Sequence, residues 1–296
     1  MTSSSPALRG TLAALAATVI WSGNFIVARG VADAVPPATL AFCRWSVAFL
    51  ALAPFAFRAL RREMPALLAH KGYVTATALL GVTVFNTLIY LAGRSTEALN
   101  LSLLSTFIPA FILVLARIFL GEPLTPARLG GLLVAVCGVL LLITRGQPAL
   151  LLEISPNPGD LWMLLAALLF AGYSILVRKR PADIGSTALL AASFGLGLVL
   201  LTPWTALELA FGPAPTFTPQ VFGAILYIGL GASLAAYWLW TLALGSIGPS
   251  KAGIIYYSLP LFCGIEATLL LGEPVTWVHL TSGGLIIGGI WAATRR

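Results

Sequence analysis

Apolar runs of membrane-spanning length follow one another along almost the whole chain. A transmembrane helix needs about 20 mainly apolar residues. Breaks at charges, prolines and glycine clusters divide the sequence into ten such runs, at 9–30, 37–57, 72–93, 98–118, 126–144, 159–178, 186–206, 219–243, 249–271 and 275–294. Of the 296 residues, 59% are apolar or aromatic and only 9% are charged, against about 25% charged in soluble domains. A soluble domain of this size buries only about 75% of its accessible surface, so lipid must solvate much of this chain. The expected fold is an all-α polytopic membrane protein with ten transmembrane helices. The first run is longer than a signal-peptide core of about 7–15 residues and lacks a small-residue cleavage site, so it reads as a span.

The net charge of +7 does not point to nucleic acid, because the Lys and Arg residues sit in short breaks between apolar runs and not along one polar face. Their distribution instead sets an orientation. With the N-terminus inside, the inner segments hold Arg9, Arg58, Arg61, Arg62, Lys71, Arg117, Arg128, Arg178, Lys179, Arg180, Lys251, Arg295 and Arg296. The outer loops hold Arg29, Arg94 and Arg145, and Arg44 falls within a span. This predicts a multi-pass protein of a bacterial-type inner membrane with both termini cytoplasmic. Cys43, Cys137 and Cys263 lie inside apolar runs with no partner at ligand spacing, which argues against a disulfide framework or a metal site. No cofactor is expected.

The two halves are related. LGEPLT at 120–125 returns as LGEPVT at 271–276, an offset of 151 that also aligns Pro109 with Pro260, Phe111 with Phe262, Leu129 with Leu280 and Gly138 with Gly289. Nearer the half starts, an offset of 149 aligns Gly10 with Gly159, Gly23 with Gly172 and Arg29 with Arg178. The repeats are expected at 1–150 and 151–296. Five spans per repeat is an odd number, so the second copy enters the membrane from the opposite side. Such inverted repeats build many secondary transporters, with the substrate site near midplane between the copies. Transport explains this symmetry; an enzyme or scaffold does not need it.

The stretches IWSGNFIVARG (20–30), PPATLAFCRWSVAFLAL (36–52), LGEPLTPARLGGLLVAVCGVLLL (120–142) and LGEPVTWVHLTSGGLIIGG (271–289) resemble the EamA-type members of the drug/metabolite transporter superfamily. The overall pattern is most similar to the branch that exports aromatic amino acids. The resemblance implies a basket of ten helices with a central cavity lined by helices one, three, four, six, eight and nine, with five and ten outside. The four-helix multidrug relatives carry a glutamate in their first helix for proton-coupled export. Here the first span holds no acid, and a downhill facilitator and a proton antiporter both stay open.

Polar groups within spans are costly and mark candidate sites. The first span carries Trp21, Ser22 and Asn24; the third carries Asn86 and Tyr90 on one face with Thr83; the fourth carries Ser105 beside Ser102 and Thr106. Tyr173 stands at the repeat position of Asn24, and the later spans add Tyr237, Trp238, Trp240, Tyr256 and Tyr257. An aromatic-walled cavity with hydroxyl and amide tips suits a flat apolar molecule with polar ends, such as an aromatic amino acid. Ordinary helix packing is the competing reading for each residue. Pro109 and Pro260 occupy matching places and are read either as hinges for alternating access or as fixed bends. Two charges lie within spans, Arg44 and Glu266. They either pair with each other, or cap carbonyls, or Arg44 draws in a substrate carboxylate.

No Ser/His/Asp set, HExxH or Walker loop is present. The expected function is therefore export of aromatic or other neutral hydrophobic amino acids and related small metabolites by alternating access, with the lipid bilayer and a small-molecule substrate as partners. One chain holds both repeats, so a monomer is sufficient. The alternatives are a broader drug/metabolite permease of the same fold and an intramembrane enzyme or assembly factor.

Overall fold

The computed structural model describes residues 6–31, 34–95, 104–152, 158–271 and 276–294. Among them the elements are helical. They are α1 (Pro6–Gly30), α2 (Pro37–Ala69), α3 (Lys71–Ala92), α4 (Phe107–Leu120), α5 (Pro126–Ile143), α6 (Pro158–Arg178) and α7 (Ser186–Phe211). Helical hydrogen bonding then continues through Pro219–Tyr256, but Gly248 has φ 79° and ψ 161°, a kink that separates two helices. We number α8 as 219–247 and α9 as 249–271, and α10 is Trp277–Thr294. The helices Pro37–Ala69, Lys71–Ala92, Pro158–Arg178 and Ser186–Phe211 and the stretch Pro219–Tyr256 are each long and apolar enough to cross a membrane, and Phe107–Leu120 and Pro126–Leu142 are shorter apolar helices. This is a polytopic helical membrane protein.

Local chemistry explains the boundaries. Thr125 accepts from the Arg128 N–H at 3.2 Å and Thr218 accepts from the Val221 N–H at 3.3 Å, each followed by a first-turn proline. Gly121, in the first LGEP turn, ends α4 with φ 67°, a left-handed cap that a side chain would strain. The second LGEP turn falls at 272–275, outside the described residues. α2 runs on to Ala69, beyond the expected end at 57, because good helix formers carry it past Pro54 into the basic segment.

The two repeats meet around an internal two-fold axis, and its position can be read from residues that touch their own counterparts. Trp21 and Phe170, 149 residues apart, have ring centroids 5.5 Å apart. Trp45 and Phe194, with the same spacing, are 4.7 Å apart. At a spacing of 151, the Asn86 amide donates to the Tyr237 hydroxyl at 3.3 Å, and the Tyr257 hydroxyl donates to the Thr106 carbonyl at 2.9 Å. Ala135 and Ile286 share one buried cluster. Symmetry-related atoms can meet only near the axis, so these counterpart pairs trace it. The remaining contacts follow: α1 packs on α8 and α9, and its copy α6 packs on α3 and α4. Even the irregularities are shared, since α3 is π-helical at Leu79–Thr83 and α8 at Tyr227–Ala235.

α2 and α7 lie antiparallel and cap each other. The Glu208 carboxylate near the end of α7 accepts from the Ala38 N–H at 3.1 Å, the Thr39 N–H at 2.7 Å and the Thr39 hydroxyl at 2.9 Å, at the start of α2. Glu63, near the end of α2, accepts from the Gly185 N–H at 2.6 Å, at the start of α7. Each carboxylate sits where the positive end of the other helix favours it. Charge-assisted hydrogen bonds contribute about 1.5–3 kcal/mol each when their partners are desolvated. Glu208→Ala is therefore expected to cost about 2 kcal/mol of stability, read as a lower unfolding midpoint in detergent. An unchanged midpoint would show that water replaces the carboxylate without loss.

α5 and α10 meet through small residues. A Cβ added at Gly131 would lie 2.5 Å from the Gly289 carbonyl oxygen and the Ala293 nitrogen, and one at Gly138 would lie 2.9 Å from the Ser282 carbonyl oxygen. Of the glycine pairs in the sequence, Gly131, Gly283 and Gly289 face neighbours, whereas Gly130, Gly284 and Gly288 face open space.

Candidate functional site

The centre of the seam between the repeats is aromatic. Trp21 of α1 stands edge-on to Phe170 (5.5 Å), Tyr237 (5.8 Å) and Trp240 (5.4 Å) and tilts over Tyr256 at 5.9 Å. Tyr173 joins through Phe170 at 5.8 Å and Tyr237 at 5.5 Å. Trp21, Tyr173, Tyr237, Trp240 and Tyr256 are each at most 7% exposed. The structure thus brings five of the expected aromatic residues into one cage, and their rings fill the space where the central cavity was expected. Trp238, by contrast, points outward at 57% exposure.

The π-helical turns supply acceptors to the cage. A π-turn disturbs the regular carbonyl ladder, and the Ala232 carbonyl takes the Trp21 Nε1–H at 2.9 Å. Its repeat counterpart, the Gly81 carbonyl, takes the Tyr237 hydroxyl at 2.7 Å and the Asn86 amide at 3.3 Å. The Trp240 Nε1–H donates to Ser174 at 3.1 Å. Gly81 itself lies under the Tyr173 ring, where a Cβ would collide. The Thr83 hydroxyl donates to the Gly197 carbonyl of α7 at 3.3 Å.

Beside the cage lies Arg44, only 1% exposed. Its Nε donates to the Ser233 hydroxyl at 2.7 Å, and its Nη1 donates to the Asn86 amide oxygen at 2.9 Å and the Tyr90 hydroxyl at 2.6 Å. The guanidinium also lies 5.3 Å from the Trp45 ring centroid and 5.9 Å from that of Tyr90. Among the described residues no carboxylate forms an ion pair with it. Glu266, the other intramembrane charge, does not pair with Arg44; its Oε1 meets the Ser22 hydroxyl at 2.8 Å. The cost of the buried cation is thus met by neutral acceptors and ring faces.

Ser105 and Tyr257 lie away from the cage, at a pair of equivalent helix breaks. Ser105 and Thr106 precede α4, and Tyr257 and Ser258 interrupt α9. Pro109 and Pro260 follow these breaks within the first turn of the resumed helix, so they are not mid-helix kinks. A pocket of about 10 Å³, room for a single water, is lined there by Ser105, Thr106, Tyr256, Tyr257, Leu259 and Pro260. Asn24 is buried, and its Oδ1 has no hydrogen-bond partner.

Sequence reasoning did not single out Phe170, Trp45, Phe194 or Ser233. Plain aromatics in an apolar run carry no polar flag, but the 149-residue offset leads from Trp21 to Phe170 and from Trp45 to Phe194.

Ten helices in two inverted repeats, closed over a polar and aromatic seam, define a polytopic membrane transporter. Residues 8–144 and 157–295 each match the EamA-like transporter family, and the chain belongs to that family. An "Uncharacterized transporter" of Archaeoglobus fulgidus is 30% identical over 283 residues, covering 94% of each chain. A "Probable terminal-alkyne amino-acid exporter" of Streptantibioticus cattleyicolor is 27% identical, covering 96% of this chain and 93% of that one. A solved crystal structure shares the fold with a TM-score of 0.77 at 19% identity, covering 96% of each chain.

Proposed function

We propose that this transporter exports amino acids with aromatic or other large apolar side chains, and related small metabolites, by alternating access. The single observation that carries the reading is the buried Arg44 guanidinium, which has no carboxylate partner among the described residues and stands one residue from the cage wall at Trp45, whose ring lies 5.0 Å from Tyr237. Such a fork recognises a carboxylate in the geometry that Arg favours. The α-carboxylate takes the guanidinium, displacing Asn86 or Tyr90. The substrate ring replaces one of the ring contacts in the cage, each worth about 0.5–1.5 kcal/mol. The unpartnered Asn24 Oδ1, one turn from Trp21 on the same face of α1, accepts from the ammonium.

The similarity to the probable amino-acid exporter of Streptantibioticus cattleyicolor supports the amino-acid class. The distribution of Lys and Arg supports a bacterial-type plasma membrane with both termini cytoplasmic, and one chain carries the complete pair of repeats. In the present conformation the rings close the site. The paired breaks at Thr106 and Tyr257 allow the two halves to part on one side while they stay closed on the other.

The test is flux into liposomes holding only the purified protein, with labelled L-phenylalanine and, separately, 2-phenylethylamine, which lacks the carboxylate. Saturable phenylalanine flux with little flux of the amine is the expected result. Amine flux without amino-acid flux would overturn the reading in favour of a permease for organic cations.

A further inference from the structure

Among the rings in contact with Trp21, that of Phe170 alone carries no polar atom. Phe170 is 1% exposed and stands in the middle of the cage. Its centroid lies 4.7 Å from that of Phe85, 5.5 Å from Trp21, 5.8 Å from Tyr173 and Trp240, 6.3 Å from Tyr237 and 6.5 Å from Tyr256. The neighbours are tied down. Trp21 donates to the Ala232 carbonyl, Tyr237 to the Gly81 carbonyl and Trp240 to the Ser174 hydroxyl. The Phe170 backbone is held as well, because its carbonyl accepts from the Ser174 hydroxyl at 2.9 Å.

A ring that enters this closed cage has to displace one already in it. Moving Trp21, Tyr237 or Trp240 strands a buried donor and its acceptor, and each then bears an uncompensated desolvation cost. Moving the Phe170 phenyl strands neither. A ring that takes its place meets the same edges and faces, so the exchange recovers the contacts that it breaks. The helix also leaves the phenyl a way to turn. Helical side chains lean over the residues three and four positions back, and there α6 carries only Ala167 and Ala166. Tyr256 is the less central ring, at the edge of the cage beside the small pocket of the α9 break. Tyr237 joins the ring position to the cation: its ring faces Phe170, and its hydroxyl accepts from Asn86, which accepts from Arg44.

We infer that Phe170 determines specificity: in the closed cage its phenyl fills the subsite that takes a solute's aromatic ring, and the solute enters by displacing it. The ring subsite stands on the geometry of the cage, whereas the identity of the solute as an amino acid rests on the function proposed above.

Two pairs of probes differ only by the ring: L-phenylalanine with L-alanine, and 2-phenylethylamine with ethylamine. Their binding to purified protein is measured for the wild type, Phe170→Ala and the milder Phe170→Leu. Phe170→Ala, which has no phenyl to expel, is expected to bind the ring-bearing probe about tenfold more tightly than the wild type. The ring-free probe is expected to bind as before, and Phe170→Leu to shift the same way by less. Ring-bearing and ring-free probes that change alike, or rings that bind less tightly to both variants, overturn the subsite. The displacement itself is read in a protein with 4-fluorophenylalanine in place of Phe170, which needs no cavity to fold. Its fluorine resonance is expected to move on adding a ring-bearing probe and to stay on adding a ring-free one; a resonance that no probe moves overturns the displacement. Both effects seen with 2-phenylethylamine alone uphold the subsite and sink the amino-acid reading. Phenylalanine flux by a wild type whose variants bind rings no better sinks the subsite and leaves the amino-acid reading standing.

Discussion

Leucine at position 289 is expected to unfold the α5–α10 contact, with a loss of more than about 3 kcal/mol, while leucine at 288 leaves stability unchanged. A Cβ at Gly289 would lie 2.5 Å from the Ala135 nitrogen and 2.6 Å from the Gly131 carbonyl oxygen. Backbone cannot swing aside as a side chain does. Overpacking of flexible cores costs about 1–3 kcal/mol, and a backbone collision exceeds that range. The neighbouring Gly288 meets nothing within 4 Å, and a surface change there lies within about 0.5 kcal/mol. The pair of variants is compared by thermal unfolding in detergent. Equal midpoints would show that the helices separate and repack without loss.

The second large effect is expected from Asn86→Asp, which places an acid beside a buried cation without changing side-chain shape. The Asn86 amide oxygen already accepts from Arg44 at 2.9 Å. A carboxylate in its place becomes a permanent partner for the guanidinium and competes with the substrate's own. Phenylalanine flux is expected to fall about ten- to hundredfold, the equivalent of one charge-assisted hydrogen bond of about 1.5–3 kcal/mol, while the unfolding midpoint holds or rises. Arg44→Lys is expected to lose flux to a similar degree, because a single ammonium cannot reach Ser233 on α8 and Asn86 on α3 in the fork geometry of Arg. Flux retained in Asn86→Asp would show that Arg44 has only a structural role.

The span count and the pairing of halves were open to reading because lipid imposes a length on each helix and duplication leaves matching prolines and glycines. The break between α8 and α9 was also visible, since Gly248 followed by Pro249 cannot continue a helix. The residues at the axis were harder to find. Asn86 and Tyr237 are not alike in sequence, yet they are the same place in the two repeats and touch each other. The π-turns were invisible, because one extra residue in a turn has no sequence signature. Cage membership was legible for Tyr and Trp, whose polar tips stand out in a span, and not for Phe170. The closed centre could not be read from composition, because the same rings can line a cavity or fill it.

The residues along the axis carry a consequence for ancestry. Before the halves were joined, two copies of a five-helix chain inserted in opposite directions would have met there, and every axial side chain would have faced itself. An arginine at position 44 would then have been present twice, bringing two buried guanidiniums close together where like charges repel strongly. Joining the halves removed that restriction: the position 149 residues after Arg44 is Ser193, and the position 151 residues before Glu266 is Leu115. A single buried cation near the axis became possible. The fused chain can thus hold one buried guanidinium at its seam, where a homodimer of opposed copies would hold two.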